Sequence, residues 1–259
     1  MAENDTALMR ARDIALALSL LSRLPVRCGS YARGARAAWA YPLAGLVVGG
    51  LAALGGLVAL WCGLPSPLAA LIALALGIVT TGAMHEDGLA DSADGLLGHR
   101  DQKTVLSIMK DSRIGVMGMV AVFCALAVKF AGIAAMPLHA SFQRLLILLL
   151  VPGLARSSMI FGIHLLPYGR PGGGTGFDLF EAPIHFKDFW GLGICLLLCL
   201  FLGWRGLWII LVFFGLVFGI VFYYRRRMGC ITGDMLGAMT EATESLMFLL
   251  ACIGGMGSP

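Results

Sequence analysis

Long uninterrupted apolar runs are the main pattern of this chain. Seven of them approach the roughly 20 residues that an α-helix needs to cross a bilayer. The runs cover residues 38–62, 66–84, 114–136, 141–166, 188–204, 206–224 and 230–253. Because they are continuous rather than alternating, they favour helices over a transmembrane β-barrel. The fifth run is short and the fourth and seventh contain charged residues, so the pattern predicts about six to seven spans.

A different pattern precedes the first run. Residues 5–24 predict an amphipathic helix that Pro25 would end, with basic and acidic residues away from the apolar stripe. Such a helix is typical of the membrane interface. The apolar stripe consists of Leu8, Ile14, Leu18 and Leu21.

Composition supports the membrane assignment. Of 259 residues, 59% are hydrophobic and 13% charged, with a mean hydropathy of +0.87, whereas soluble domains carry about 25% charged residues. We therefore predict an all-α, polytopic transmembrane helix bundle that forms one domain over residues 1–259. The net charge of +4 comes without a dense basic stripe, which argues against a nucleic-acid partner. The seven cysteines lack metal-type spacing and are interpreted as packing residues.

The positions of lysine and arginine predict an orientation. If the N-terminus is cytoplasmic, 15 of the 19 basic residues fall on the cytoplasmic side of the predicted spans, as the positive-inside rule requires. This orientation makes residues 1–37 a cytoplasmic or interfacial segment. It also places residues 85–113, 167–187 and 225–229 on the cytoplasmic side.

An acidic segment, HEDGLADSAD at residues 85–94, follows the second run. Asp87, Asp91 and Asp94 are spaced by four and three residues, which puts them on one helical face, with Glu86 alongside and His85 before it. Like charges at these positions repel unless a cation lies among them. Oxygen ligands without cysteine favour Mg²⁺, Mn²⁺ or Ca²⁺ over zinc. A solvated acidic loop beside a span is the alternative.

Positive charge returns in IMKDSRIGVMG, residues 108–118. Lys110 and Arg113 flank Asp111 and stand at the start of the next run. A metal ion bound by carboxylates, next to basic side chains that stabilise charge on the leaving group, is typical of phosphoryl-transfer sites. A basic anchor that contacts lipid headgroups remains the alternative.

The last predicted span contains three acids. Asp234, Glu241 and Glu244 are spaced by seven and three residues, on one helical face. Acids within a membrane are costly and mark either a functional site or a paired charge. Arg156 and Lys129, in the fourth and third runs, are the available partners.

A glycine-rich segment, YGRPGGGTG, spans residues 168–176. Backbone N–H groups of such loops can hold phosphates, but the spacing matches neither common nucleotide-binding signature. A flexible lid or a plain linker is an equally good interpretation.

The combination of HEDGLADSADGL (85–96) and IMKDSRIGVMG (108–118) resembles the cobalamin synthases, the adenosylcobinamide-GDP ribazoletransferases. Weaker similarities are LLSRLP (20–25), YPLAGLVVG (41–49), LPYGR with its following glycines (166–176) and GCITGDMLGAMTEATE (229–244). The resemblance covers nearly the whole chain. The loop PGGGTG after Arg170 is richer in glycine than the family pattern.

The resemblance implies an activity and its components. Members of this family join adenosylcobinamide-GDP to α-ribazole or its 5′-phosphate and release GMP. They are Mg²⁺-dependent proteins of the bacterial cytoplasmic (inner) membrane. The resemblance leaves a homo-oligomer open.

Roles for individual residues follow as expectations. The expected Mg²⁺ ligands are Glu86, Asp87, Asp91 and Asp94. The expected catalytic residues are Asp94, Lys110, Asp111, Arg113 and Asp234, among which Asp94, Asp111 and Asp234 are alternatives for accepting the hydroxyl proton. Expected substrate contacts are His85, Arg156, Arg170, Glu241 and Glu244.

Two other functions compete. CDP-alcohol phosphatidyltransferases also use aspartates and magnesium to displace a nucleoside monophosphate, but after Asp87-Gly88 this chain continues Leu-Ala-Asp without their arginine. A cation transporter would explain acids within spans, yet it predicts charges near the midplane and corresponding broken helices in two halves. No internal repeat is evident in this chain.

Overall fold

The protein is an α-helical bundle in a computed structural model. The structure describes residues 2–26, 34–136, 141–170, 173 and 176–252; the side chains of residues 2–8 and 141 are outside this description. The helices are α1 Ala2–Leu21, α2 Tyr41–Trp61, α3 Ser66–Thr81, α4 Met84–Leu96, α5 Gln102–Ile108, α6 Val116–Ala134, α7 Ser141–Leu165, α8 Trp190–Cys199, α9 Trp204–Arg227 and α10 Gly233–Ala251. Short 3₁₀ helices cover Gly34–Ala40, Phe177–Phe180, Phe186–Phe189 and Leu200–Leu202.

The predicted fold class is confirmed, because several of these helices are long and apolar. In the described part of the chain, four helical segments are long and apolar enough to cross a membrane, or up to five if a bent pair is counted as one span. The four segments are Gly34–Trp61, Val116–Ala134, Phe142–Leu165 and Trp204–Arg227. The bent pair consists of α3 and α4.

This number is lower than the six to seven spans expected from the apolar runs. Within the run 188–204, the α-helix α8 has only ten residues and is followed by a short 3₁₀ helix. The chain then changes direction at Gly203, whose φ is 58°. Ten helical residues extend about 15 Å, half of a bilayer's hydrocarbon core. The last run does form a 19-residue helix, α10, but because it contains three acidic residues it is not among the helices apolar enough to cross a membrane.

A sharp bend separates α3 from α4. The two helix axes differ by 84°, and the turn is made by Gly82 and Ala83, both with left-handed backbone (φ 65° and 57°). Glycine adopts this conformation readily and ends many helices in this way. The bend redirects the chain, so the acids of α4 belong to a 13-residue helix that is too short and too polar to span a membrane by itself.

Helix α10 lies at the centre of the bundle. It contacts α4, α6, α7 and α9, and most of its residues are buried. Its approach to α4 is very close: a Cβ atom on Gly88 would lie 2.6 Å from the carbonyl oxygen of Asp234. Glycine at this position therefore allows the two backbones to touch, as small residues do at membrane helix interfaces.

The predicted N-terminal helix is present as α1. Leu16, Ala17 and Leu21 are buried in the core, whereas Arg10 and Arg12 are exposed. The indole N–H of Trp39 donates a hydrogen bond of 3.0 Å to Asp13. The helix is thus packed against the start of the bundle, with its polar side outward.

Candidate functional site

Three carboxylates meet where α4 approaches the first turn of α10. Asp87 and Asp91 come from α4, and Asp234 comes from α10. Burial, together with the carboxylates of Asp234 and Asp87, raises the pKa of Asp91 to about 6. We call Asp87, Asp91 and Asp234, together with Arg170, the acidic junction.

Arg170 supplies positive charge to the acidic junction. Its guanidinium nitrogen lies 2.7 Å from a carboxylate oxygen of Asp234, and both side chains are mostly buried. The backbone before it is fixed by two hydrogen bonds: Gly169 N–H donates to the carbonyl of Ile231, and Ile231 N–H donates to the carbonyl of Pro167. The segment that follows α7 is thereby held beside Ile231, two residues before α10 begins.

The structure gives Asp94 a different set of partners. Its carboxylate accepts the N–H of Gly115 at 2.7 Å and the N–H of Gly118 at 2.8 Å, so it caps the N-terminal end of α6 from a neighbouring helix. A Cβ atom on Gly118 would lie 2.5 Å from this carboxylate. The sequence analysis missed these partners, although two glycines at the start of an apolar run were a usable signal.

The basic segment after α5 lies apart from the acidic junction in its contacts. Arg113 is highly exposed and forms a 2.6 Å ion pair with Asp111 of the same turn, which lowers the pKa of Asp111 to about 2. Lys110 is also exposed. Among the described residues, no contact of Lys110 or Arg113 with the carboxylates of α4 supports the expected approach.

Glu86 and His85 are turned into the bundle. They are 7% and 2% exposed, and they line a cavity together with Lys129, Arg156 and Glu241. Successive helical residues point about 100° apart, and Glu86 accordingly lines the cavity while Asp87 and Asp91 lie near Asp234. Glu86 therefore lies apart from Asp87 and Asp91 in the structure, whereas Asp94 is close enough to Asp91 to act on it electrostatically.

The buried charges of the spans form an ionic cluster of Lys129, Arg156, Glu241 and Glu244. Lys129 Nζ lies 2.7 and 2.8 Å from the two oxygens of Glu241 and 3.1 Å from Glu244, while Arg156 pairs with the other oxygen of Glu244. The prediction that Lys129 and Arg156 are the partners of these acids is confirmed. Asp234, seven residues before Glu241 on the same helix, lies about two turns nearer the N-terminus of α10, at the acidic junction.

The acidic junction supplies some of the oxygen ligands that a hard divalent cation such as Mg²⁺ needs. Its carboxylates repel one another, and Mg²⁺ usually binds through one or two carboxylates, with waters and substrate phosphates completing its shell. Within residues 2–26, 34–136, 141–170, 173 and 176–252, however, no group of three or more His, Cys, Asp or Glu side chains forms a ready cation site. Asp87 and Asp91 fit a site that substrate completes. Glu86 lines the buried cavity and the Asp94 carboxylate accepts two backbone N–H groups, and a metal-binding role for these two residues stays a prediction.

Part of the glycine-rich loop lies outside the described residues. Positions 171–172 and 174–175 are not described, so the interpretations of this loop as phosphate cradle, lid or linker stay predictions.

Comparison with known proteins identifies the family. A family model described as cobalamin-5-phosphate synthase matches residues 13–253. The chain belongs to this family. The matched region of the cobalamin-5-phosphate synthase family contains the acidic junction, the Asp94 contact with α6 and the whole ionic cluster.

Curated relatives carry a common name, adenosylcobinamide-GDP ribazoletransferase. The protein from Pseudomonas paraeruginosa (strain DSM 24068 / PA7) is 38% identical over 237 residues, covering 90% of this chain and 94% of the relative. That from Rhizobium etli (strain CIAT 652) is 36% identical over 248 residues, with coverage of 90% and 94%. That from Desulfitobacterium hafniense (strain Y51) is 34% identical over 254 residues, with coverage of 92% and 95%. No solved structure matches the chain.

Proposed function

We propose that this protein is an adenosylcobinamide-GDP ribazoletransferase. It would join adenosylcobinamide-GDP to α-ribazole or its 5′-phosphate and release GMP, a late step of cobalamin assembly. Family membership and the names of the curated relatives support this activity. The structural observation that carries it is the acidic junction, where three carboxylates and an arginine from three separate segments come together.

The chemistry requires a diphosphate to be held while a ribose hydroxyl attacks the phosphorus on the corrinoid side. When bound, Mg²⁺ would neutralise phosphate charge at this position, and Asp87 and Asp91 are the residues that would hold it. Arg170 would position a phosphate oxygen, because a guanidinium donates several N–H groups in a fixed geometry. The ion pair with Asp234, 2.7 Å away, would keep Arg170 in place for this contact.

A carboxylate must accept the proton of the attacking hydroxyl. Of the three alternatives, Asp94 has its oxygens engaged by the N–H groups of Gly115 and Gly118, and Asp111 is paired with Arg113. Asp234 is also paired, with Arg170, but of the three it is the one that lies at the acidic junction beside Asp87 and Asp91, and we therefore assign proton acceptance to it.

We place the protein in a bacterial cytoplasmic (inner) membrane with the N-terminus and the acidic junction on the cytoplasmic side. Three arginines, Arg225 to Arg227, end α9, and two of them hold neighbouring turns: Arg225 donates to the carbonyl of Leu165, and Arg227 to those of Gly98 and Arg100. A cytoplasmic position for these arginines agrees with the positive-inside rule.

The proposal is tested with purified protein in lipid nanodiscs. Adenosylcobinamide-GDP, α-ribazole and Mg²⁺ are supplied, and GMP is quantified with time. We expect GMP from the wild type and a loss of at least tenfold in the Asp91→Asn variant, because one missing charge contact in a phosphoryl-transfer site costs about 1.4 kcal/mol or more. Asp178→Asn, at an exposed aspartate outside the junction, is the matched control. Absence of GMP from the wild type would refute the assigned reaction.

A further inference from the structure

Three residues that line the cavity beside the ionic cluster carry buried polar atoms that lack partners. They are His85 Nε2, Glu86 Oε2 and Arg156 Nε, and none of these atoms has a hydrogen-bond partner in the described structure. His85, Glu86 and Arg156 are 2%, 7% and 2% exposed, so bulk water does not satisfy them. Leaving such atoms without partners in an apolar interior is costly, most of all for a carboxylate.

Charge adds to the need for a ligand. The cavity is bordered by three glutamates, Glu86, Glu241 and Glu244, and by two cations, Lys129 and Arg156. The two cations are already engaged by Glu241 and Glu244. Glu86 and Lys129 interact electrostatically, but Glu86 Oε2 accepts no hydrogen bond from Lys129.

The dimensions of the cavity limit what can occupy it. Its volume is about 20 Å³, and one water molecule requires roughly 10–15 Å³ of such space. A nucleotide or corrinoid is far too large for this space. Water both donates and accepts hydrogen bonds, so a single molecule could serve the carboxylate and the imidazole together.

We propose that this cavity binds one or two ordered water molecules that link His85 and Glu86 of α4 to the ionic cluster on α6, α7 and α10. The water site joins the inner face of α4 to the centre of the bundle. It thereby sets the rotation of α4 about its own axis. His85 and Glu86 are positioning residues in this account.

The consequence for catalysis rests on the proposed function. Asp87 directly follows Glu86, so a rotation of α4 that relaxes the water site also moves the Asp87 carboxylate away from Asp234. Gly88 already touches the backbone of Asp234, which leaves little room for α4 to rotate while it keeps its place. A hydrated link of this kind holds the acidic junction in one arrangement.

Hydroxyl-radical footprinting of the wild type in nanodiscs tests the water site without any substrate. X-ray radiolysis generates radicals from ordered water, and these oxidise adjacent side chains. We expect oxidation of His85 and of Phe248, which also lines the cavity. Phe213, fully buried among other aromatic rings, is the dry internal control. Protection of His85 and Phe248 equal to that of Phe213 would overturn the proposal.

Two substitutions of Glu86 separate hydration from shape. Glu86→Gln keeps hydrogen bonding to water, whereas Glu86→Leu removes it at similar volume. Labelling of Phe248 should persist in the Gln variant and fall towards the level of Phe213 in the Leu variant. The rate of GMP release should fall about tenfold or more in the Leu variant and recover in the Gln variant; equal rates in the two would overturn the positioning role. If the wild type releases no GMP, the proposed function fails while the footprinting result still stands.

A change of salt tests whether a sodium ion, rather than water, occupies the cavity. The melting temperature of the wild type is compared in sodium chloride and choline chloride at equal ionic strength. Equal melting temperatures are expected for a water site. A sodium-specific increase that is lost in Glu86→Gln would identify a cation in the cavity and overturn the proposal.

Discussion

The carboxylate of Asp94 holds the N-terminal end of α6 through the N–H groups of Gly115 and Gly118, at 2.7 and 2.8 Å. The acid therefore ties α4 to a helix that begins 22 residues later in the chain. A carboxylate is well suited to this place, because a helix N-terminus carries unpaired N–H groups and a partial positive charge.

Asp94→Ala should lower the free energy of unfolding by about 1–3 kcal/mol, because a helix cap and two charge-assisted hydrogen bonds are lost. Denaturant unfolding in mild detergent, followed by circular dichroism, measures the change. Its magnesium requirement should equal that of the wild type. A higher magnesium requirement at unchanged stability would mean that Asp94 is a metal ligand after all.

Gly118→Ala tests the same contact from the other helix. The added methyl group would lie 2.5 Å from the Asp94 carboxylate and 2.8 Å from the carbonyl oxygen of Ala90, so α4 and α6 must separate. We expect a destabilisation of about 1–3 kcal/mol, typical of overpacking. Gly219→Ala in α9, where a Cβ atom meets nothing within 4 Å, is the control and should be neutral or slightly stabilising.

Asp87→Asn should raise the magnesium concentration at half-maximal GMP release and lower the maximal rate. The reason is that a neutral amide binds Mg²⁺ more weakly than a carboxylate does. Titration of magnesium against GMP formation measures both quantities. Glu86→Gln should leave the magnesium requirement unchanged, since its side chain faces the buried cavity. An equal rise in the magnesium requirement of both variants would contradict the assignment of Asp87 to the metal site and of Glu86 to the cavity.

Lys129→Met should destabilise the protein by about 3–5 kcal/mol, because it leaves Glu241 and Glu244 buried with fewer cations. Thermal unfolding in nanodiscs measures the loss. The double variant Lys129→Met/Glu241→Met should recover part of it, since an apolar pair replaces a broken ion pair. Lys110→Met, at an exposed position, is the control. A loss of stability as large in the control would contradict the assignment of the effect to the buried pair.

Arg113→Ala should have little effect on stability. Its side chain is highly exposed, and its ion pair with Asp111 lies within one turn, so solvent screens the interaction. Unfolding midpoints of the variant and the wild type should coincide. A raised KM for adenosylcobinamide-GDP with unchanged stability would show that Arg113 contacts substrate during turnover, as the sequence led us to expect.

Local patterns in the chain were sufficient for the class of the protein and for most helix bounds. The apolar run 114–136 became α6, Val116–Ala134, and the run 206–224 became α9, Trp204–Arg227. The ion pairs of Lys129 and Arg156 with α10 were also predictable, because buried acids in a membrane require cations and few were available. Each of these inferences depends on residues within one segment or on charge balance.

Only the tertiary structure decided which acids work together. Glu86 and Asp87 are neighbours in sequence, yet one faces the buried cavity and the other lies at the acidic junction, because helical residues one position apart point in different directions. Which direction is inward depends on the turn at Gly82 and Ala83 and on the packing of α4 against α10. The helical period orders side chains around an axis, but contacts between helices fix how that axis is turned, and those contacts join residues that are far apart in the chain.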